Sequence, residues 1–412
     1  MRRSISELEP RVRRRGLLIV FLVTFLMHAG FFLIIPLVSV HYVDGLGWAA
    51  AFIGVVLAVR QFLQQGLTVF GGAFADRFGP KPLILSGVLI RAFSFVVMGF
   101  ATEPWMLLVS GVLAALGGAL FGAPQRATLA VLAPEADLST VYGHLGILQN
   151  VARTVGPLMG AFLIRFDFEL VGIASAGFFM VAFFVTLLFL PSIGVSSGPQ
   201  TARAGLGLAF HDASFISFTI LMMGFWFMWV QLSIAMPLEM KHLTGSDSSV
   251  GVMFMVSAIL SIVLQVPALR LAGRFLAPTP TIVAGTVSMA LGMGLIAVSQ
   301  SLAVFYGALF FFSLGAVLAT PSAETVTAQM ADRRARGAYF GVSSLAMAVG
   351  GGLGHILGGT LVDVAAARQM PALPWTVFAS VGLVTAIGLA LFYGSLLSRR
   401  RRALAGVASI GD

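Results

Sequence analysis

Apolar residues occur along this chain in long runs that polar and charged residues interrupt at fairly regular intervals. Each run holds about 20 residues or more, the length that an α-helix needs to cross the hydrocarbon core of a bilayer. Strands that cross a membrane are about half as long, so the pattern predicts helices. The twelve runs lie at about residues 16–41, 50–73, 82–101, 105–131, 141–164, 170–191, 213–240, 249–271, 281–300, 302–327, 338–362 and 374–397.

Composition supports an all-α membrane protein with twelve transmembrane helices. Of the 412 residues, 58% are hydrophobic and 10% are charged, whereas a soluble domain carries roughly 25% charged residues. This excludes a soluble enzyme. The chain has no cysteine, which excludes disulfides and thiolate metal sites. We expect no cofactor and no metal, and no nucleic-acid partner despite the net charge of +9.

The longest polar connection divides the chain into two halves with six predicted helices each. The predicted domains are an N-terminal bundle (1–191), a cytoplasmic linker (192–212), a C-terminal bundle (213–398) and a basic cytoplasmic tail (399–412). A shift of 197 or 198 residues repeats several positions, which indicates two pseudo-symmetric bundles that rock around a central site, as in transporters. The repeated pairs are Gly54 and Gly251, Gly118 and Gly315, Pro124 and Pro321, Gly156 and Gly354, and Gly160 and Gly358.

The basic residues predict the orientation in the membrane. With the N-terminus in the cytoplasm, 18 of the 25 Lys and Arg residues fall on the cytoplasmic side, three fall outside, and four lie within predicted helices. Since Lys and Arg are concentrated in cytoplasmic loops, both termini are predicted to be cytoplasmic. The four intramembrane cations are Arg60, Arg91, Arg126 and Arg153.

Two motifs resemble those of the major facilitator superfamily. The first, which we place in the loop after the second helix, reads GAFADRFGPK and contains Gly72, Asp76, Arg77, Gly79 and Lys81. It resembles the G-x-L-A-D-R-x-G-R-K signature, with Phe and Pro at two of its positions. The second lies in the fifth helix and resembles the antiporter motif of the same superfamily. It comprises Gly143, Gly156, Pro157 and Gly160.

Four further segments resemble the MdtH-type family of multidrug exporters: Arg60–Gly66, Glu103–Trp105, Ala331–Gly337 and Leu373–Trp375. The resemblance covers nearly the whole chain. It implies a drug:proton antiporter in the bacterial inner membrane, which exports small lipophilic compounds and thereby gives antibiotic resistance, with the proton gradient as energy source. We also expect a monomer. The alternative is an exporter of one metabolite, lipid or anionic solute. The excess of intramembrane arginine over intramembrane acid would suit an anion.

The candidate site residues are charged, amide or aromatic side chains that lie within predicted transmembrane helices. Ionisable residues inside a membrane are functional hypotheses by default, and aromatic side chains can repack around varied ligands. In this superfamily helices 1 and 7 line the cavity. The predicted substrate-binding residues are Phe31, Phe32, Arg60, Gln64, Arg153, Phe225, Trp226 and Trp229.

A second set is predicted to carry protons or to control gating. It comprises His28, Arg126, Glu239, Glu324 and His355. Arg126 and Glu324 occupy nearly equivalent places in the two halves. The resemblance to the superfamily implies that helices 4 and 10 face each other at the cytoplasmic mouth, so we expect these two residues to pair at the cytoplasmic gate. Pairing of each within its own half is the alternative.

Two other classes of protein fit less well. An intramembrane enzyme would need a nucleophile or paired carboxylates, and the G-x-S-x-G pattern at Gly194–Gly198 lies in the polar linker without the strand that such an elbow requires. A channel would not need two rocking halves. Neither is expected.

Overall fold

The computed structural model describes residues 10–132, 138–191, 200–299, 301–332 and 336–408, and this part of the chain is helical without strands. Short π-helical segments follow α1 (Val40–Gly45) and α13 (Met347–Gly351), and a 3₁₀ turn (Val230–Ser233) follows α8. The helices are α1 Pro10–Ser39, α2 Ala50–Phe78, α3 Pro80–Gly99, α4 Pro104–Leu132, α5 Leu138–Leu163, α6 Phe168–Phe189, α7 Gln200–His211, α8 Ala213–Trp229, α9 Ala235–Thr244, α10 Ser248–Phe275, α11 Pro278–Val298, α12 Leu302–Met330, α13 Arg336–Ala346, α14 Gly352–Arg368 and α15 Leu373–Ala408.

Eleven helical segments of the described residues are long and apolar enough to cross a membrane, with α8–α9 and α13–α14 each forming one continuous span. The remaining predicted span is α5. Its 26 residues would extend about 39 Å at 1.5 Å per residue, so length is sufficient. Its polar residues, among them Gln149, Asn150 and Arg153, lower its hydropathy. The α5 helix completes the predicted twelve, and the all-α membrane fold is confirmed.

Several helices extend beyond their predicted spans, and the predicted linker holds an additional helix. The α2 helix continues to Phe78, so most of the first motif is helical, and the turn to α3 consists of Gly79 alone, whose φ of 82° suits a residue without a side chain. The predicted linker contains α7, and α15 continues through Ala408 into the predicted tail. The Gly194–Gly198 pattern lies outside the described residues.

Contacts divide the chain into two compact units. The first unit comprises the described part of Met1–Gln200 together with Val230–Ile259 and Gly352–Ala367, and the second holds Thr201–Trp229, Leu260–Gly351 and Arg368–Asp412 as far as they are described. In the first unit α1 packs on α5 and α6, α3 on α4 and α6, and α2 on α4. In the second unit α11 packs on α12 and α15. The predicted domains are the two repeated halves of the sequence, whereas these units are defined by contacts. The predicted domain boundaries therefore stay a prediction.

The repeat is visible in the packing of each unit. In the first, a Cβ at Gly87 of α3 or at Gly117 of α4 would overlap the carbonyl of the other glycine, and in the second Gly285 and Gly315 form the same pair between α11 and α12. Small residues let helix backbones approach this closely. Both pairs differ by 198 residues, so Gly117 corresponds to Gly315, and the predicted pairing of Gly118 with Gly315 is wrong by one position.

Candidate substrate site in the first unit

Two arginines from neighbouring helices meet inside the first unit. Arg60 of α2 donates from Nη1 to the Oε1 of Gln64, one turn on, at 3.2 Å. Arg91 of α3 donates from Nη2 to the same oxygen, also at 3.2 Å. The Nε of Arg91 donates to the carbonyl of Ala114 in α4 at 3.2 Å. One glutamine oxygen therefore bridges two guanidinium groups, and we call Arg60, Gln64 and Arg91 the arginine cluster.

The arginine cluster also rests on an aromatic ring. The guanidinium carbons of Arg60 and Arg91 lie 5.2 Å and 5.3 Å from the ring centroid of Phe31 on α1. A cation this close to an aromatic face is stabilised by roughly 0.5–2 kcal/mol, with the larger value when water is excluded. Both arginines are 7% exposed. Phe31 therefore holds two cations that the protein keeps out of water.

Within the described part of the chain, the positive charge of the arginine cluster has no nearby carboxylate. Among the described residues, no carboxylate lies within 4.0 Å of the guanidinium groups of Arg60, Arg91 or Arg153. The buried Nε of Arg60 has no hydrogen-bond partner among the atoms that the structure describes. Burying a charge is costly unless it is paired and hydrogen-bonded, so the cluster is an electrostatically incomplete site that an anionic or strongly polar group would complete.

Arg153 extends the site to the surface of the unit. It lies near the middle of α5, its side chain is exposed, and its guanidinium carbon is 5.5 Å from the ring centroid of Phe32. The rings of Phe31 and Phe32 are 5.1 Å apart in an edge-to-face arrangement. A strip of two aromatic rings thus connects an exposed guanidinium to the buried arginine cluster.

The glycines of the second motif bring α5 against α1, which carries both phenylalanines. A Cβ at Gly156 would meet the carbonyl of Ala29, and one at Gly160 would overlap the carbonyl of Leu33. Pro157 is buried in the same segment. Because only glycine permits such backbone contact, this motif fixes the distance between Arg153 and the strip. Gly143 lies in the first turns of α5, and its surroundings are outside the described part.

The first motif is described only at its end. Gly72, Asp76 and Arg77 belong to the last turns of α2, where the structure does not describe side chains. Lys81 donates from Nζ to the carbonyls of Leu187 (2.9 Å) and Leu190 (2.7 Å). These carbonyls end α6 and lack intrahelical partners. Lys81 therefore caps the C-terminus of α6, a structural role that the motif alone does not reveal.

The candidate histidines have different surroundings. His28 of α1 is half-buried, and its Nδ1 lies 2.8 Å from the carbonyl of Thr24. A carbonyl only accepts, so Nδ1 carries the proton. His355 of α14 is 2% exposed, and its Nδ1 has no hydrogen-bond partner among the described atoms. Glu239 is half-buried in α9 of the same unit. Their roles stay predictions.

The remaining predicted residues lie in part in the second unit. There Phe225 is fully buried, and Trp226 is 5.3 Å from its ring and 5.5 Å from the ring of Trp229. Glu324 is exposed in α12 of this unit, and Arg126 is exposed in α4 of the first. The predicted pairing of Arg126 with Glu324 therefore stays a hypothesis, as does substrate binding by the aromatic residues.

Two residues have contacts that the sequence does not indicate. The sequence marks Arg91 only as an intramembrane cation, yet Arg91 shares Gln64 and Phe31 with Arg60. Asp363 stands at the edge of the eleventh predicted span, where an acid is unremarkable, yet its carboxylate accepts two hydrogen bonds from the start of α2. Spacing gives no signal for either contact, because the partners come from different helices.

The long apolar helices define a multi-pass membrane protein. The family model of the Major Facilitator Superfamily matches residues 20–238 and again 215–409. The chain belongs to the Major Facilitator Superfamily.

Curated relatives carry the name multidrug resistance protein MdtH. The protein from Sodalis glossinidius is 36% identical over 87% of this chain and 89% of its own length. That from Aeromonas hydrophila is 36% identical over 91% of this chain and 94% of its own length. That from Escherichia coli O9:H4 is 34% identical, with coverage of 95% and 97%.

Solved structures share the fold at low sequence identity. The nucleoside transporter NupG superposes with a TM-score of 0.78 at 13% identity, covering 92% of this chain and 98% of that one. The human organic anion transporter MFSD10 gives 0.64 at 18% identity, with coverage of 92% and 99%. At these identities the likeness concerns the fold alone.

Proposed function

We propose that this chain exports small lipophilic and amphipathic compounds from the bacterial cytoplasm by alternating access, in exchange for protons. The observation that carries the proposal is the similarity, over nearly the whole chain, to proteins named for multidrug resistance. The proposal places both termini in the cytoplasm, on the basic bias of that side, and the chain in the inner membrane as a monomer. It requires no cofactor, because the proton gradient supplies the energy.

The geometry of the first unit supports a binding surface for varied amphipathic compounds. Phe31 and Phe32 offer apolar faces, while Arg153 offers an exposed cation beside them. Aromatic faces accept many shapes, and a few polar groups orient the ligand. The polar face of α5 fits a helix that lines an aqueous path rather than one surrounded by lipid.

Proton release from reconstituted protein tests the proposal. Vesicles containing the chain and a pH-sensitive dye are given ethidium or another unrelated lipophilic dye, and the proton flux that accompanies dye movement is measured. We expect several unrelated dyes to drive proton movement that a protonophore abolishes. Dye transport that persists without any proton flux would refute the exchange, and transport of no lipophilic compound would refute multidrug export.

A matched pair of variants tests the site. Arg153→Gln removes the exposed guanidinium beside Phe32, and Arg165→Gln removes an exposed cation two residues beyond the end of α5. Loss of one binding contact of this kind should weaken dye affinity by roughly twofold to thirtyfold, corresponding to about 0.5–2 kcal/mol. Arg165→Gln should leave affinity unchanged. Equal effects of the two variants would exclude Arg153 from the binding surface.

The arginine cluster favours a second candidate, the export of an anionic solute. Two buried guanidinium groups without a nearby carboxylate among the described residues provide complementary charge. An amphipathic carboxylate and its methyl ester distinguish the candidates, since they differ in charge and little in shape. Transport of the acid alone supports the anion exporter, and transport of both supports multidrug export.

A further inference from the structure

The start of α2 is in backbone contact with α14 within the first unit. A Cβ at Gly54 would overlap the carbonyl of His355, and a Cβ at Gly359 would overlap the carbonyl of Ala50. These positions lie at the end of the unit where α1 ends and α2 begins, which we call the far end. Here α14, from the second half of the sequence, joins helices of the first half.

Asp363 adds a polar contact to this crossing. Its Oδ1 accepts from the backbone N–H of Ala50 at 2.9 Å, and its Oδ2 accepts from that of Ala51 at 2.7 Å. Ala50 and Ala51 are the first two residues of α2, where N–H groups have no intrahelical acceptor. A carboxylate is also favourable at a helix N-terminus for its charge. The cap of α2 is thus supplied by a residue about three hundred positions away in sequence.

At the equivalent crossing, between α10 and α5, no carboxylate from α5 caps α10 among the described residues. Gly251 of α10 corresponds to Gly54, and a Cβ there would overlap the side chain of Ala161 in α5. The shift of 198 that relates Gly358 to Gly160 places Asp363 on Arg165. A guanidinium cannot accept hydrogen bonds, so the carboxylate cap distinguishes one of two otherwise similar crossings.

We propose that Asp363 is a conformational latch that holds the far end closed. Alternating access, as proposed above, requires the far ends of α2 and α14 to separate. Separation breaks two charge-assisted hydrogen bonds and returns both helix N–H groups to water. The latch biases the conformational equilibrium toward the state in which the far end is closed, and its loss makes opening more frequent without a change in the substrate site.

A single cysteine reports opening of the far end. The natural chain has no cysteine, so one introduced thiol is labelled without background. Ser39, the last residue of α1, is fully buried and donates to the carbonyl of Ser233 at 3.3 Å. Ser39→Cys is nearly isosteric. A membrane-impermeant maleimide should label it only when the far end opens, and the measurement needs neither substrate nor proton gradient.

The latch is tested by labelling kinetics in this background. Asp363→Ala should raise the labelling rate about fivefold, the effect expected from loss of one helix cap, and Asp363→Asn should raise it less because one acceptor remains. The control is Asp167→Ala, which removes a carboxylate that caps α6 with a 3.3 Å bond to the Glu169 N–H inside the first half.

The outcomes separate the latch from the transport proposal. Faster labelling with Asp363→Ala and an unchanged rate with Asp167→Ala support the latch even if no dye is exported. An unchanged rate in Asp363→Ala, or an equal rise in Asp167→Ala, would overturn it. If the Asp363→Ala variant does not fold, Asp363→Asn provides the same comparison, provided that it elutes as a folded species in detergent. An unchanged labelling rate in Asp363→Asn would then count against the latch.

Discussion

Replacing Gly54 with alanine should push α2 and α14 apart at the far end. The new methyl group would occupy the space of the His355 carbonyl, and forcing an extra carbon into a packed interior costs roughly 1–3 kcal/mol. Separation of the helices relieves the overlap. The population of the separated state should therefore rise by roughly 5- to 140-fold, since 1.4 kcal/mol corresponds to a factor of ten.

The matched control is Gly66→Ala in the same helix. A Cβ at Gly66 meets no atom within 4 Å, so this variant gains helix propensity, roughly 0.5–1 kcal/mol, without overlap. Gly54→Ala gains the same propensity, and the difference between the two variants isolates the crossing. Both are measured by maleimide labelling of Ser39→Cys, and by dye transport, which should slow when the far end closes less readily.

Equal labelling rates in the Gly54 and Gly66 variants would refute this reasoning. That result would mean that the crossing adjusts locally to a methyl group, so that backbone contact between α2 and α14 does not control access at the far end. Faster labelling in the Gly66 variant alone would also contradict control by the α2–α14 crossing. Helix propensity, and not packing, would then govern opening of the far end.

Three further predictions concern polar contacts of the first unit. Gln64→Glu should raise the thermal unfolding midpoint of the detergent-solubilised protein, because a carboxylate would lie between Arg60 and Arg91, and Gln64→Leu should lower this midpoint. A higher midpoint for Gln64→Leu than for Gln64→Glu would contradict the bridging role of Gln64. Lys241→Gln should change the labelling rate of Ser39→Cys by no more than about fivefold, because the ion pairs of Lys241 with Asp44 and Asp247 are partly exposed and such pairs contribute roughly 0–1 kcal/mol. A larger change in the labelling rate would contradict this magnitude. Tyr42→Phe should lower the free energy of unfolding by roughly 1 kcal/mol, because the buried hydroxyl of Tyr42 donates to a backbone carbonyl at the end of α3. An unchanged thermal unfolding midpoint would show that this hydrogen bond contributes nothing to stability.

Much of the architecture follows from the linear pattern, and the exceptions have physical reasons. The polar residues of α5 make it the weakest predicted span, yet packing of Gly156 and Gly160 on α1 keeps it a long helix. Apolar runs mark the part of a helix that lipid surrounds and not its full length. For this reason α2 extends past its predicted end to Phe78, where Gly79 makes the turn.

The candidate site was predictable as a set of unusual residues and not as an arrangement. Arg60, Gln64 and Arg153 were identifiable because cations and amides are costly within a membrane. Their geometry was not, because Arg60 and Arg91 meet only through Gln64 and the ring of Phe31. That meeting depends on how three helices pack.

The linear pattern alone predicts a twelve-helix membrane protein in two related halves. Lipid cannot satisfy exposed backbone groups, so each long apolar run must form a helix. The choice of partners among the few polar groups depends on how the helices pack. Asp363 caps α2 although most of the sequence lies between the two. No local pattern encodes this contact, because it exists only where two glycine-lined helices bring their backbones together.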